Sequence, residues 1–100
     1  MKYRVYLCNE YYKHVDDNKY RYECCGDTLE TKDFNTLTQA IAYVDSYNLE
    51  LEKTSSSIYA NYLYVREYNE DIDMIDCETL YDKGVVYDDI EKQLNVKITF

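Results

Sequence analysis

Apolar and polar residues alternate from the start of the chain. Between Lys2 and Lys13, Tyr3, Val5, Leu7 and Tyr11 fall on one side of an extended backbone and Arg4, Tyr6, Cys8 and Glu10 on the other. That period of two is the signature of a strand with one side turned to a core. The stretch His14-Val15-Asp16-Asp17-Asn18 is rich in turn formers, and from Lys19 to Gly26 the alternation resumes, with Tyr20, Tyr22 and Cys24 opposite Arg21, Glu23 and Cys25. The two segments predict a hairpin. Matching their apolar faces sets Leu7 opposite Cys24 and Tyr11 opposite Tyr20, because a one-residue slip would carry Arg21 and Glu23 into the core. In that register Cys24 points inward, and Cys8 and Cys25 lie diagonally on the outer face.

The alternation breaks between Asp27 and Asn35. From Thr36 to Asn48 the apolar positions Leu37, Ala40, Ile41, Val44 and Tyr47 recur at helical spacing, with Thr36 and Gln39 placed as a capping box. The polar run Lys53-Thr54-Ser55-Ser56-Ser57 reads as a loop. Ile58–Tyr68 reads as a long central strand, Asn69-Glu70-Asp71 as a turn, and Ile72–Tyr81 as the antiparallel return, with a bulge where the apolar phase switches between Met74 and Ile75. Lys83-Gly84 reads as a further turn, Asp88 or Asp89 can cap a short second helix to Leu94, and Val96–Phe100 can supply a last strand. The expected fold is a single α+β domain spanning residues 1–100. Its antiparallel sheet has four to five strands, with one main helix at about 36–48 and a short one at about 88–94.

Composition adds two constraints. With 46% apolar and 31% charged residues, the chain has the makeup of a folded domain rather than of an acidic tail. It contains 14 tyrosines but no tryptophan and no proline. Rings occur on both sides of the predicted strands, and one small helix cannot cover two faces of a sheet, so some rings are expected at the surface. No stretch is apolar enough to cross a bilayer, which points to the cytoplasm, and the four cysteines there are expected as free thiols.

Charge is distributed unevenly. Residues 67–91 hold ten carboxylates against the single cation Lys83, a balance of −9 that equals the net charge of the whole chain. Such a field repels nucleic acid and anionic membrane and attracts basic protein surfaces. An EF-hand frame beginning at Asn69 or Asp71 places Met74 or Asp76 where the calcium loop needs glycine, and Leu80 or Asp82 where it needs glutamate. On a strand, Asp71 with Asp73 and Asp76 with Glu78 would be spaced by ~6.6 Å, near the separation of successive phosphates. A zinc site from Cys8, His14, Cys24 and Cys25 conflicts with the alternation of the hairpin, and a Cys8–His14 nucleophile pair would need the strand to fold back on itself. Two glycines in the chain leave no phosphate-cradling loop. No catalytic, metal or cofactor motif is present, so neither an enzyme nor a cofactor is expected.

A small acidic chain with Tyr-rich strands and one helix, written Phe34-Asn35-Thr36-Leu37-Thr38-Gln39-Ala40-Ile41-Ala42-Tyr43, resembles the small proteins of bacteriophages and other mobile elements. Among these it looks most like anti-CRISPR and DNA-mimic anti-restriction proteins. The resemblance is one of style across the whole chain. It implies stoichiometric inhibition of a host defence nuclease, such as a CRISPR effector, over its basic nucleic-acid site, by a monomer or homodimer in the host cytoplasm. The residues expected to carry this are Glu70, Asp71, Asp73, Asp76 and Glu78 for charge, with exposed Tyr68 or Tyr81 as an apolar anchor; direct binding of nucleic acid or membrane is not expected. The alternative is a structural or assembly module that self-associates through its Tyr-rich sheet. The interleaved Ile72, Met74, Ile75 and Leu80 are expected to be partly buried.

Overall fold

The computed structural model describes residues 1–100. It confirms the α+β class but with a larger sheet, seven strands of mixed direction and two helices, in an elongated body of 50 × 24 × 18 Å. In chain order the elements are β1 (Lys2–Asp16), β2 (Lys19–Phe34), α1 (Leu37–Ser46), β3 (Leu51–Lys53), β4 (Ser57–Asn69), β5 (Met74–Ile75), β6 (Tyr81–Gly84), α2 (Tyr87–Leu94) and β7 (Lys97–Thr99). The sheet order is β3-β4-β1-β2-β7, and β5 and β6 also pair with β4. Every pairing is antiparallel except β2 with β7.

The frame is the pairing of β1 with β4, which runs without a slip from Lys2 opposite Tyr68 to Lys13 opposite Ser57. It sets Val5 beside Val65 and Leu7 beside Leu63 on one face, and Tyr6 beside Tyr64, Cys8 beside Tyr62 and Tyr12 beside Ile58 on the other. The two faces are buried at opposite ends of the ribbon. On the first, Ala40 and Val44 of α1 close over Val5, Leu63 and Val65; on the second, Ile90 of α2 with Val96 and Ile98 closes over Tyr12, Tyr20, Ile58 and Ala60. A core on only one side of β1 is therefore corrected: Tyr6 and Cys8, assigned to the outer face, are buried, as is Tyr12 farther along the same face. Between the two cores, buried Asn61 donates to Asn9 at 2.8 Å and accepts the Glu50 amide at 2.7 Å, so its amide is satisfied where apolar cover runs out.

The hairpin differs in register and length. A tight turn at Asp17-Asn18 pairs Asp16 with Lys19, and Asp17 adopts the left-handed φ of 48° found in primed turns. Irregularities along the ladder then shift Tyr11 to Cys24 and Leu7 to Glu30, in place of Cys24 opposite Leu7. The turn, rather than the matching of apolar faces, decides the register. Gly26 sits in this irregular region because a β-carbon there would collide with the Tyr11 ring. Residues 27–34, where the alternation fails, are strand all the same, held by β1 on one side and otherwise exposed. The far end of the hairpin is clamped by Arg4, whose Nε and Nη2 donate to Asp33 at 2.7 and 3.0 Å while its guanidinium lies 3.8 Å over the Tyr68 ring. That paired contact holds the Asp33 carboxyl below the usual carboxylate range.

Thr36 caps α1, accepting the Gln39 amide at 3.2 Å. Helix α2 begins one residue earlier than expected: its N-cap is Val86, and Asp88 and Asp89 lie in the first turn, where they favour the helix dipole rather than cap it. The return strand is interrupted. Met74 and Ile75 pair with Asn69 and Tyr68, Tyr81 to Gly84 pair with Val65 to Tyr62, and residues 76–80 bow out between. Lys83 and Gly84 are thus strand residues, not a turn.

Leu63→Ala and Ile90→Ala are each expected to cost about 2–5 kcal/mol, since each empties a fully enclosed site in one of the two cores. Ile72→Ala, at an exposed position, should change stability by about 0.5 kcal/mol or less. Urea unfolding followed by circular dichroism measures all three, and a loss at Ile72 as large as that at Leu63 would contradict the arrangement.

Candidate functional site

The acidic segment forms a tip at one end of the ribbon. The chain leaves β4 at Asn69, turns through Glu70–Asp73 and returns as β5. Two side chains shape the bend locally: Asn69 Oδ1 accepts the Asp71 amide at 3.1 Å, and Asp76 Oδ1 accepts the Glu78 amide at 3.0 Å. Asp73 takes a left-handed φ of 50°, and its carboxylate accepts the Tyr68 hydroxyl at 2.6 Å. Two backbone bonds, from the Asp76 amide to the Glu67 carbonyl at 3.0 Å and from the Leu80 amide to the Val65 carbonyl at 2.9 Å, tie the two ends of the outgoing loop back to β4.

Charge on the tip is nearly uncompensated. Of the ion pairs in the molecule only Lys2–Glu70, at 3.9 Å, reaches it, and an exposed pair of that length contributes little. Asp71, Asp73, Asp76 and Glu78 have no cation within bonding reach, and all four are exposed. The spacing expected for a phosphate-like ladder does not form. Asp71 and Asp73 lie in the turn, and Asp76 and Glu78 lie in the loop after β5.

The apolar part of the site is not where the residues pointed. Ile72, Met74 and Ile75, expected to be partly buried, are 62%, 61% and 41% exposed, and Met1 beside them is 61% exposed. With Glu67 and Asp76 at the rim they border a recess of about 310 Å³. An exposed patch of large apolar side chains ringed by like charges marks a binding surface more readily than either feature alone. Tyr68 and Tyr81, the expected anchors, are half-buried and committed to the fold: Tyr68 donates to Asp73 and Tyr81 donates to Asp45, a short bond that joins β6 to α1. Donation to a carboxylate raises both phenols above the usual tyrosine range.

Some rings do reach the surface, as expected, but few are fully exposed. Tyr87 and the Phe100 ring packed against it are exposed, whereas the other tyrosines are buried or half-buried. Elsewhere rings cover one another: Tyr6 stacks on Tyr64 with centroids 4.8 Å apart, Tyr62 lies 5.9 Å from Tyr64, and the Arg66 guanidinium sits 4.9 Å over the Tyr64 ring. The uncovered half of the second sheet face is thus paved by its own side chains.

Other places where chemistry could reside are separate from the tip. His14, the only histidine, bonds the Asp17 carbonyl at 2.8 Å within the hairpin turn, while Cys8 lies buried farther along β1 with its sulfur 3.0 Å from that of Cys25. Cys24, opposite Tyr11, and Cys77, beyond β5, are exposed. No three His, Cys, Asp or Glu side chains converge in a way suited to a metal ion. An open depression of about 750 Å³ between α1 and the end of β2 holds Lys2 and Asp33 but no nucleophile paired with a base. No helix is long and apolar enough to cross a membrane. No family model, curated protein or solved structure matches this chain, so its geometry carries the functional reading.

One half-buried carboxylate away from the tip is perturbed by its surroundings. Burial first, and then the charge of Asp82, push the Glu10 carboxyl up. A raised carboxyl stabilises the folded state below the unfolded value of about 4.3 and loses that contribution as pH rises through the folded value. At neutral pH its ionised form is therefore a cost. Glu10→Gln is expected to raise Tm by a few degrees at pH 7, with the gain shrinking to nothing below about pH 4. Thermal melts across that range measure it, and a variant that melts lower at pH 7 would contradict the assignment.

Proposed function

We propose that this chain is a non-enzymatic inhibitor that docks its acidic tip on the basic nucleic-acid groove of a host defence nuclease, in the host cytoplasm. The observation that carries the reading is the coincidence, at one end of the ribbon, of uncompensated carboxylates with the exposed side chains of Ile72, Met74 and Ile75. Carboxylates steer the tip to a basic groove and set the on-rate, while desolvated apolar anchors supply most of the lasting affinity. Loss of the phosphate-like spacing changes the kind of mimicry. The tip competes for the groove by charge and shape, without reproducing the repeat of a nucleic-acid backbone. In this reading Tyr68 holds Asp73 in place and Tyr81 braces the adjoining strand; neither inserts into the partner. Self-association through tyrosines is the weaker alternative, because the rings it would use are stacked on one another.

Inhibition of a panel of RNA-guided and restriction nucleases, titrated at rising salt, tests the reading. Inhibition of a responsive nuclease should weaken as salt rises. Asp71→Asn with Asp73→Asn, and separately Ile72→Ser with Ile75→Ser, should each lower potency about tenfold or more, whereas Asp88→Asn with Asp89→Asn should leave it within about twofold. Potency indifferent to salt and to both tip pairs would overturn the proposal.

A further inference from the structure

The β1–β2 hairpin brings two thiols together at the one stretch where its ladder is most irregular. Cys8 faces Thr28 and Glu10 faces Cys25, so the cysteines sit diagonally on the same face, with slips in pairing on either side. Their sulfurs are 3.0 Å apart. A disulfide bond is about 2.04 Å long, so closure needs roughly 1 Å of approach, which irregular strands can supply more easily than a regular ladder. The two thiols differ in access. Cys25 is exposed, whereas Cys8 is 1% exposed, and its sulfur is also directed at the Tyr62 carbonyl at 3.6 Å. Cys24, next in the chain, projects from the opposite face beside Tyr11, and Cys77 lies in the loop beyond β5.

We propose that Cys25 and Cys8 form a thiol–disulfide exchange site for small-molecule disulfides of the glutathione type, Cys25 as the attacking thiol and Cys8 as the resolving thiol. Cys25, as thiolate, attacks one sulfur of the small disulfide; that S–S bond breaks and one glutathione leaves as its thiolate. Cys8 then attacks the Cys25 sulfur of the mixed disulfide, its own proton passing to the departing group, and the second glutathione leaves as a thiol. Two protein thiols are oxidised to one intrachain disulfide and one small disulfide is reduced to two thiols. The division of labour follows from burial, which pushes the Cys8 thiol up to about 12 and leaves it a poor nucleophile toward anything in solvent. Held against Cys25, it needs only the proximity it already has. The product pins β1 to β2 across the irregular ladder, and since Cys8 lies opposite Tyr62 while the tip starts past Asn69, the site is roughly 20 Å of strand away from the proposed binding surface and independent of it.

The test uses the folded full chain, in a Cys24→Ser, Cys77→Ser background, incubated with oxidised glutathione at neutral pH and read by peptide mass spectrometry. The expected product is a Cys8–Cys25 cross-link with no glutathione retained, and a Tm raised by roughly 10 °C. Adding Cys8→Ala should leave one glutathione on Cys25, because the resolving thiol is gone; alanine suits that apolar position, and circular dichroism verifies that this variant folds. Adding Cys25→Ser instead should leave the folded chain unmodified. Glutathione retained on Cys25 while Cys8 is present, a cross-link from Cys24 in the unsubstituted chain, or a cross-linked product that melts lower than the reduced chain would overturn the proposal.

Discussion

The unbroken antiparallel pairing of β1 with β4 is the constraint on which the rest of the molecule depends. Because side chains alternate with a period of two, fixing Lys2 opposite Tyr68 fixes every later pair and assigns each residue of both strands to a face. Val5, Leu63 and Val65 then form a floor for α1, and Tyr12, Ile58 and Ala60 form one for α2 on the reverse side. A shift by one residue would put Arg4 and Arg66 under α1, and Lys13 and Asn61 under α2. Neither helix could then bury its apolar stripe.

Two small helices on opposite faces and opposite ends leave half of each face without a covering element, and the chain meets this in two ways. On the second face, tyrosines and arginines cover one another: Tyr6 on Tyr64, Arg66 over Tyr64, and Arg4 over Tyr68 while gripping Asp33. At the tip nothing covers Ile72, Met74 and Ile75, and the surrounding carboxylates keep that patch soluble while repelling a second acidic copy. The high tyrosine content thus belongs to the scaffold. The proposed interaction surface uses aliphatic and thioether side chains, with charge as its rim.

What could be read from the residues was what depends on near neighbours. The start of α1 is decided by Thr36 and Gln39 three residues apart, and the alternation of Tyr3 to Tyr11 and of Ile58 to Tyr68 reports strands correctly. The shared face of Cys8 and Cys25 also survives, since the bulges shift the register without reversing that face. What depends on distant partners could not be read. Thr28 to Asp33 alternate no apolar residues, and they are strand because β1 supplies a template, not because they bury anything. Met74 and Ile75 look like core residues in one dimension. Their exposure follows from the absence of any element above the tip, a property of the whole topology. Tyr68 and Tyr81 carry no sequence sign that Asp73 and Asp45 will take their hydroxyls.

The claim that charge and apolar exposure act together at the tip is tested most directly by residue-resolved NMR of the chain titrated with a cationic peptide containing both arginine and leucine. The account predicts that methyl signals of Ile72, Met74 and Ile75 and amides between Glu70 and Glu78 shift together, less so at high salt, while Asp88, Asp89 and Glu91, equally acidic but carried by α2 toward the other end of the ribbon, stay in place. Perturbations spread over both acidic stretches alike, or centred on the face of α1, would contradict it.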